Sequence, residues 1–172
     1  GGAVGGPRTG TLIHVAGGGR YAGCIALDDE PKEDSLCAVE SLRALGVTDI
    51  VMVSGDAEGP ARAMAARLGI RDYRAGVLPH RKVEAFEEIS ARVKASAPRA
   101  SVVFVGDGIN DAPVLARSDV GIAMGGIGSD AAIEASDVVL MNDNPLLVPL
   151  AIRSARWTRR VVAENIALAF SI

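Results

Sequence analysis

The sequence predicts an α/β fold: a parallel sheet with helices on both faces, plus a short N-terminal hairpin and a C-terminal helix. Short apolar, β-branched runs recur along the chain, and alanine-rich stretches of helical period separate them. The runs end in turn-forming and capping residues, as strands of a covered sheet do. At 172 residues the chain can close the core of one ordinary domain and carry a short appendage.

Residues 1–10 have no initiating Met, no charged n-region and no apolar h-region, so they do not form a targeting peptide. Two strand-like runs, 11–16 and 21–27, flank the turn Gly17-Gly18-Gly19 and read as a hairpin. Asp28-Asp29-Glu30-Pro31 closes it and reads as an N-cap followed by N1. Residues 32–45 carry Leu36, Val39, Leu42 and Leu45 at helical spacing, with Gly46 as the stop. Ile50-Val51-Met52-Val53 has the all-apolar character of a strand covered on both faces. A helix over 58–68, a short strand at 72–75 and a helix from Pro79 to about residue 95 follow. The strands predicted next are 101–105, 120–124 and 138–141. Arg153, Arg156, Arg159 and Arg160 precede the increasingly apolar helix 161–172, which falls short of the ~20 apolar residues a membrane span needs and carries Glu164. It is either an ordinary terminal helix or a membrane helix near its start.

A net charge of -3, scattered basic residues and few aromatics exclude a nucleic-acid surface. Cys24 and Cys37, with no CxxC spacing, read as reduced core thiols, and His14 and His80 are isolated, so neither type forms a transition-metal site.

Chemistry in open α/β sheets gathers at the carboxyl ends of strands. Ser54, after the run 50–53, can donate its hydroxyl to a phosphate oxygen; Gly55 lets backbone N–H groups approach an anion without a Cβ in the way, and Asp56 completes the turn. Lys82 stands in the first turn of a helix, where a cation gains nothing from the helix dipole. It is either a solvated surface lysine or an ammonium for a phosphoryl oxygen. Gly106-Asp107-Gly108-Ile109-Asn110-Asp111-Ala112-Pro113 puts two carboxylates and an amide on a glycine-flanked turn. Asp107 and Asp111, four residues apart, repel each other unless a cation lies between them, and Mg²⁺ is commonly held by one or two carboxylates with phosphate filling the rest. Asn110 can donate its amide N–H to phosphate. The alternative is a strand-to-helix turn capped by Asp107 or Asn110 with Pro113 in the first turn, which accounts for one polar residue rather than the whole octapeptide.

The octapeptide resembles the hinge motif GDGxNDxP of P-type ATPases, in order after Ser54-Gly55-Asp56, which is similar to their TGD motif, and after Pro79 to Lys82. The stretch 121–140 resembles the heavy-metal branch, and the zinc/cadmium/lead exporters within it more than the copper ones. The resemblance implies a haloacid-dehalogenase-like Rossmann fold, with residues 1–20 as the tail of the nucleotide-binding domain, 21–144 as the distal phosphorylation domain, and 145–172 as a connecting helix and the start of a transmembrane helix. It implies Mg²⁺ at Asp107 and Asp111, phosphoryl contacts from Ser54, Lys82 and Asn110, and ATP as substrate of the intact parent. Its partners would be the nucleotide-binding and actuator domains, the membrane helices and the transported cation. The expected location is the cytoplasmic portion of a prokaryotic plasma-membrane protein. Asp29 matches an acidic hinge residue, but Lys32 stands where the family has Arg, which loses a bidentate fork.

The family's phosphorylated aspartate lies in a DKTGT string that does not occur here. The chain is therefore expected to be a fragment that keeps the Mg²⁺ and phosphate shell without turning over ATP. Two alternatives are a free-standing phosphatase of the same superfamily with Asp28 or Asp29 as nucleophile, and a non-catalytic phosphate-binding module. The phosphatase lacks the second aspartate, two residues on, that such enzymes use as acid and base.

Overall fold

In the computed structural model the described residues are 11–17, 20–27, 34–106, 109–125 and 130–171, of which 11–17, 20–27 and 109 are described by backbone alone. The elements run β1 (Thr11–Gly17), β2 (Arg20–Leu27), α1 (Ser35–Ala44), β3 (Val51–Val53), α2 (Glu58–Arg67), β4 (Asp72–Arg74), α3 (Lys82–Ser96), β5 (Val103–Gly106), α4 (Ala112–Leu115), β6 (Val120–Met124), α5 (Asp130–Ala135), β7 (Val138–Leu140) and α6 (Leu147–Phe170). Single 3₁₀ turns, Pro79–Arg81 and Ile109–Asp111, lead into α3 and α4.

The hairpin forms as expected, with β1 antiparallel to β2 and Thr11 opposite Leu27. Every other pairing is parallel: β3 with β4, β5 with β6, and β6 with β7. This is the α/β pattern of the sequence, divided into a two-stranded and a three-stranded part. Among the described residues β3 pairs only with β4, and β5 only with β6, so each part leaves an edge unpaired. The uncovered character of these strands differs from the expectation of burial on both faces: β3 is half-buried throughout, and Val103 and Val105 on β5 are 39% and 38% exposed. A central parallel strand buries both faces only when strands and helices lie on all sides of it, and β3 and β5 each lack a neighbour.

One device sets the register of the three-stranded part. Ser118-Asp119-Val120 and Ser136-Asp137-Val138 repeat the same tripeptide at two helix-to-strand junctions. In each, the serine hydroxyl donates to a carbonyl three residues back, Leu115 at 2.7 Å and Ile133 at 3.1 Å. Each aspartate then accepts from a backbone N–H of the neighbouring strand segment, Val102 to Asp119 and Gly121 to Asp137, both at 2.8 Å. Their own N–H groups donate back to Val102 and Gly121. Gly121 admits no side chain, because a Cβ there would lie 2.7 Å from the Leu115 carbonyl oxygen.

Two apolar clusters fill the interior. Val39, Ala65 and Ile70 join Ile50, Met52 and Tyr73 around the first sheet part, and Leu115, Ala123 and Ala132 join Phe104 beside the second. The edge-to-face pair Phe86–Phe104, with centroids 5.9 Å apart, ties α3 to β5. In α1 the buried residues are Ala38 and Val39, while Leu36 is 43% exposed. Cys37 lies outside that buried stripe as an exposed free thiol, which corrects its reading as a core residue. α6 runs alongside α1 in the same direction: Asn144 donates to Asp34 at the start of both helices, and Arg156 donates to the Leu45 carbonyl at the end of α1.

Candidate functional site at the carboxyl ends of β3 and β5

Ser54 ends β3 and folds back on its own loop. Its hydroxyl donates to Asp56 Oδ2 at 2.8 Å, and the Asp56 N–H donates to Ser54 Oγ at 3.1 Å, an arrangement that short polar side chains favour in turns. The exit from β4 is laced to this loop. Gly76 N–H donates to the Asp56 carbonyl at 2.7 Å and Val77 N–H to the Ser54 carbonyl at 3.0 Å. Gly76 adopts φ 63°, a left-handed conformation that glycine holds without a Cβ penalty. A Cβ on Gly55 would touch only the Val77 carbonyl oxygen, at an ordinary 3.6 Å, so the protein's own packing does not demand glycine there.

The laced segment leads through Pro79 into α3, whose first residue is Lys82. Lys82 is not a solvated lysine. Its ammonium donates to Asp111 Oδ1 at 2.7 Å, with the two side chains 20% and 7% exposed. Asp111 is the one buried charged residue among the described residues. Ionising it away from water requires a partner, and the ammonium is that partner.

Asp111 stands at the N-cap position of α4 but makes no capping bond, and Pro113 occupies the first turn. The carboxylate has been drawn away to Lys82. Gly106 makes this possible, because a Cβ there would lie 2.8 Å from Asp111 Cβ and 2.9 Å from Asp111 Oδ2. Capping by Asn110 is likewise not observed: Asn110 is exposed on the 3₁₀ turn and makes no hydrogen bond among the described residues. Asp107 lies outside the described residues, as do Asp28, Asp29 and Lys32.

The sequence-predicted residues thus fall into two groups, Ser54 to Asp56 after β3 and Lys82 with Asp111 after β5, joined through the β4 exit loop rather than by a direct bond. The fit to a magnesium ion rests on Asp111. Oδ1 is engaged by Lys82, whereas Oδ2 accepts no hydrogen bond among the described residues. A hard cation with a preference for carboxylate and water oxygens suits that atom. No cluster of three or more His, Cys, Asp or Glu side chains that could hold a metal occurs among the described residues. The anchoring roles of Asp119 and Asp137 went unread in the sequence, although the repeated Ser-Asp-Val ahead of an apolar run was a visible signal.

Comparison with known proteins bears on this site. Residues 4–119 match the family model described as haloacid dehalogenase-like hydrolase. The chain is 48% identical over 165 residues to the cadmium, zinc and cobalt-transporting ATPase of Bacillus subtilis, covering 96% of this chain and 23% of that protein. It is 50% identical over 163 residues to the zinc-transporting ATPase of Synechocystis, covering 95% of this chain and 22% of that protein. Among solved structures, that of a zinc-transporting PIB-type ATPase in its E2.Pi state matches with a TM-score of 0.79 and 35% identity, over 95% of this chain and 26% of the other. The chain therefore spans about a quarter of the length of these three proteins.

Proposed function

The chain belongs to the haloacid dehalogenase-like hydrolases, and from that premise we propose that it is the distal phosphorylation domain of an ATP-driven exporter of zinc, cadmium or lead-like cations. The parent forms and hydrolyses an aspartyl phosphate in each cycle, and this chain supplies the shell around the phosphoryl group. Residues 1–20 are then the tail of a nucleotide-binding domain, 21–144 the phosphorylation domain and 145–172 the link to the membrane. The remaining partners are the nucleotide-binding and actuator domains and the membrane helices. Zinc and cadmium are named by the matched relatives, and lead is carried only by the resemblance of 121–140 to the zinc/cadmium/lead exporters.

The observation that carries the reading is Asp111, a buried carboxylate held by Lys82 through Oδ1, with no hydrogen bond to Oδ2 among the described residues. Asp107 and Asp111 would hold Mg²⁺, which when bound neutralises charge on the phosphoryl oxygens. Lys82 presents an ammonium beside the same carboxylate, so a phosphoryl oxygen arriving there meets a fixed positive charge and the repulsion against a nucleophile falls. Ser54 Oγ–H can exchange its partner Asp56 for a phosphoryl oxygen, and Gly55 leaves room for the approach. Asn110, exposed on its turn, can offer its amide to the same group.

The acceptor aspartate belongs on a strand outside this chain. The unpaired edges of β3 and β5 and the exposed Val103 and Val105 support that reading. A parallel strand taken up there would give both edges a partner and bring its carboxyl end between Ser54 and Asp111, the crevice where α/β sheets bind ligands.

Assay with a small phosphomonoester and Mg²⁺ tests the proposal. The shell alone should give no turnover of the ester or of ATP. Robust turnover abolished by Asp28→Asn or Asp29→Asn would instead make the chain a free-standing phosphatase.

A further inference from the structure

A cleft opens at the end of the first sheet part opposite the candidate site. Thr48 and Asp49 lead into β3, Gly69 and Arg71 lead into β4, and the strands are parallel with Val51 opposite Asp72, so both loops meet at the amino ends. With Arg43, from the last turn of α1, they line a cleft of about 520 Å³, within the ~300–1,000 Å³ of small-molecule sites. Its charges do not balance. Asp72 is bridged by Arg74 at 2.9 Å and by Arg92 at 2.5 Å, so its negative charge is more than offset. Asp49 accepts from the Thr48 hydroxyl at 2.8 Å and makes no ion pair among the described residues. Against that one carboxylate stand two guanidiniums with donors to spare. Arg43 gives one amino group, Nη2, to the Gly69 carbonyl, and the Cβ that Gly69 lacks would touch its Nη1 at 3.5 Å. Arg43 has an ordinary reason to stand there, since a cation complements the end of α1. The fold gives Arg71 no such employment: it is exposed and makes no hydrogen bond or ion pair among the described residues.

We propose that this cleft binds a small organic anion, with its phosphate or carboxylate group held between Arg43 and Arg71. A guanidinium keeps its charge at every working pH and presents its N–H donors in a fork that matches the oxygens of either group. The excess of positive charge is local, in a chain whose net charge is -3, so the cleft draws anions that the rest of the surface does not. Ile50 and Val51, half-buried, supply apolar wall for the body of the ligand, and a wall of low dielectric strengthens the pull of the two guanidiniums. A ligand seated there bridges the α1–β3 and α2–β4 loops, and binding to the folded chain alone raises its stability. The site lies about 10 Å of strand away from Ser54, at the other end of β3, and shares no residue with the phosphoryl shell.

Calorimetric titration in buffer free of Mg²⁺ and phosphate tests this, with glycerol 3-phosphate and glycerate as probes that share a three-carbon body and differ in the anionic group. The proposal expects saturable one-site binding of at least one probe, the tighter of the two identifying the group. Binding should be about tenfold weaker in Arg71→Gln, which removes a charge-assisted contact. It should be about threefold tighter in Asp49→Asn, which removes the facing negative charge. Because Arg71 makes no bond among the described residues, Arg71→Gln should keep the wild-type urea unfolding curve, so a loss of binding reports on the cleft and not on the fold. No saturable binding of either probe, binding that Arg71→Gln leaves intact, or weaker binding in Asp49→Asn would each overturn the proposal. The titration holds no Mg²⁺ and does not involve Asp111, so its failure leaves the phosphoryl-shell proposal standing.

Discussion

Lys82 and Asp111 are 29 residues apart in sequence, and their ion pair ties the start of α3 to the turn after β5. Removing one member of a buried pair leaves an uncompensated charge. Lys82→Ala should therefore cost about 3 kcal/mol in urea unfolding, the low end for such pairs because the ammonium keeps a fifth of its exposure. Lys82→Ala that leaves the unfolding midpoint unchanged would contradict this. Asp119 gives a pH test. The Lys94 ammonium, and after it the Val102 N–H, hold its carboxyl below the ordinary 3.8. A depressed native value stabilises the fold above pH 3.8, and the benefit fades as pH falls through the depressed value. The stability gap between wild type and Asp119→Asn should be largest near neutral pH and close in acid; a gap independent of pH would contradict the assignment. Lys82 also shows where single-residue reading ran out. Its unfavourable place at a helix start was legible in sequence, but the partner that explains it arrives only through the fold.

At the scale of elements, β5 is the instructive strand. Its run of apolar residues and the motif behind it were plain in the sequence, as were β6, β7 and the helix between β4 and β5. The exposure of Val103 and Val105 was not, because an apolar strand run reads the same whether or not a neighbouring strand is present in the chain. Substitution should separate the two situations. Leu115→Ala, at 1% exposure, should cost 2–5 kcal/mol by the usual cavity rule, whereas Val105→Thr should stay within about 1 kcal/mol. Equal losses would mean that the β5 edge is covered. Capping by Asp107 or Asn110 was the alternative the sequence offered at this turn; Asn110 makes no such bond, and Asp111, which stands at the N-cap of α4, bonds Lys82 instead. Gly106→Ala tests the close approach directly. The fold should persist with a loss of roughly 1–3 kcal/mol as Asp111 is pushed aside. An unchanged unfolding curve would show that Asp111 moves freely.

For the whole molecule, the parallel α/β pattern was legible from apolar runs and turn residues. Its division into two parts was not, since strand order depends on neighbours that local pattern does not encode. The same division places two loops and an ion pair at the carboxyl ends of two edges that are unpaired among the described residues, the place where the proposed phosphorylation domain would receive its acceptor strand. The anchoring aspartates, the laced loops and Gly106 hold that arrangement without the acceptor. The shell should therefore bind its ligands even where it cannot perform the transfer. Calorimetric titration of Mg²⁺ into the chain in the presence of orthophosphate tests this most directly. The account predicts saturable, Mg²⁺-dependent phosphate binding that Asp111→Ala and Asp107→Ala each abolish; no Mg²⁺-dependent binding, or binding indifferent to both substitutions, would contradict it.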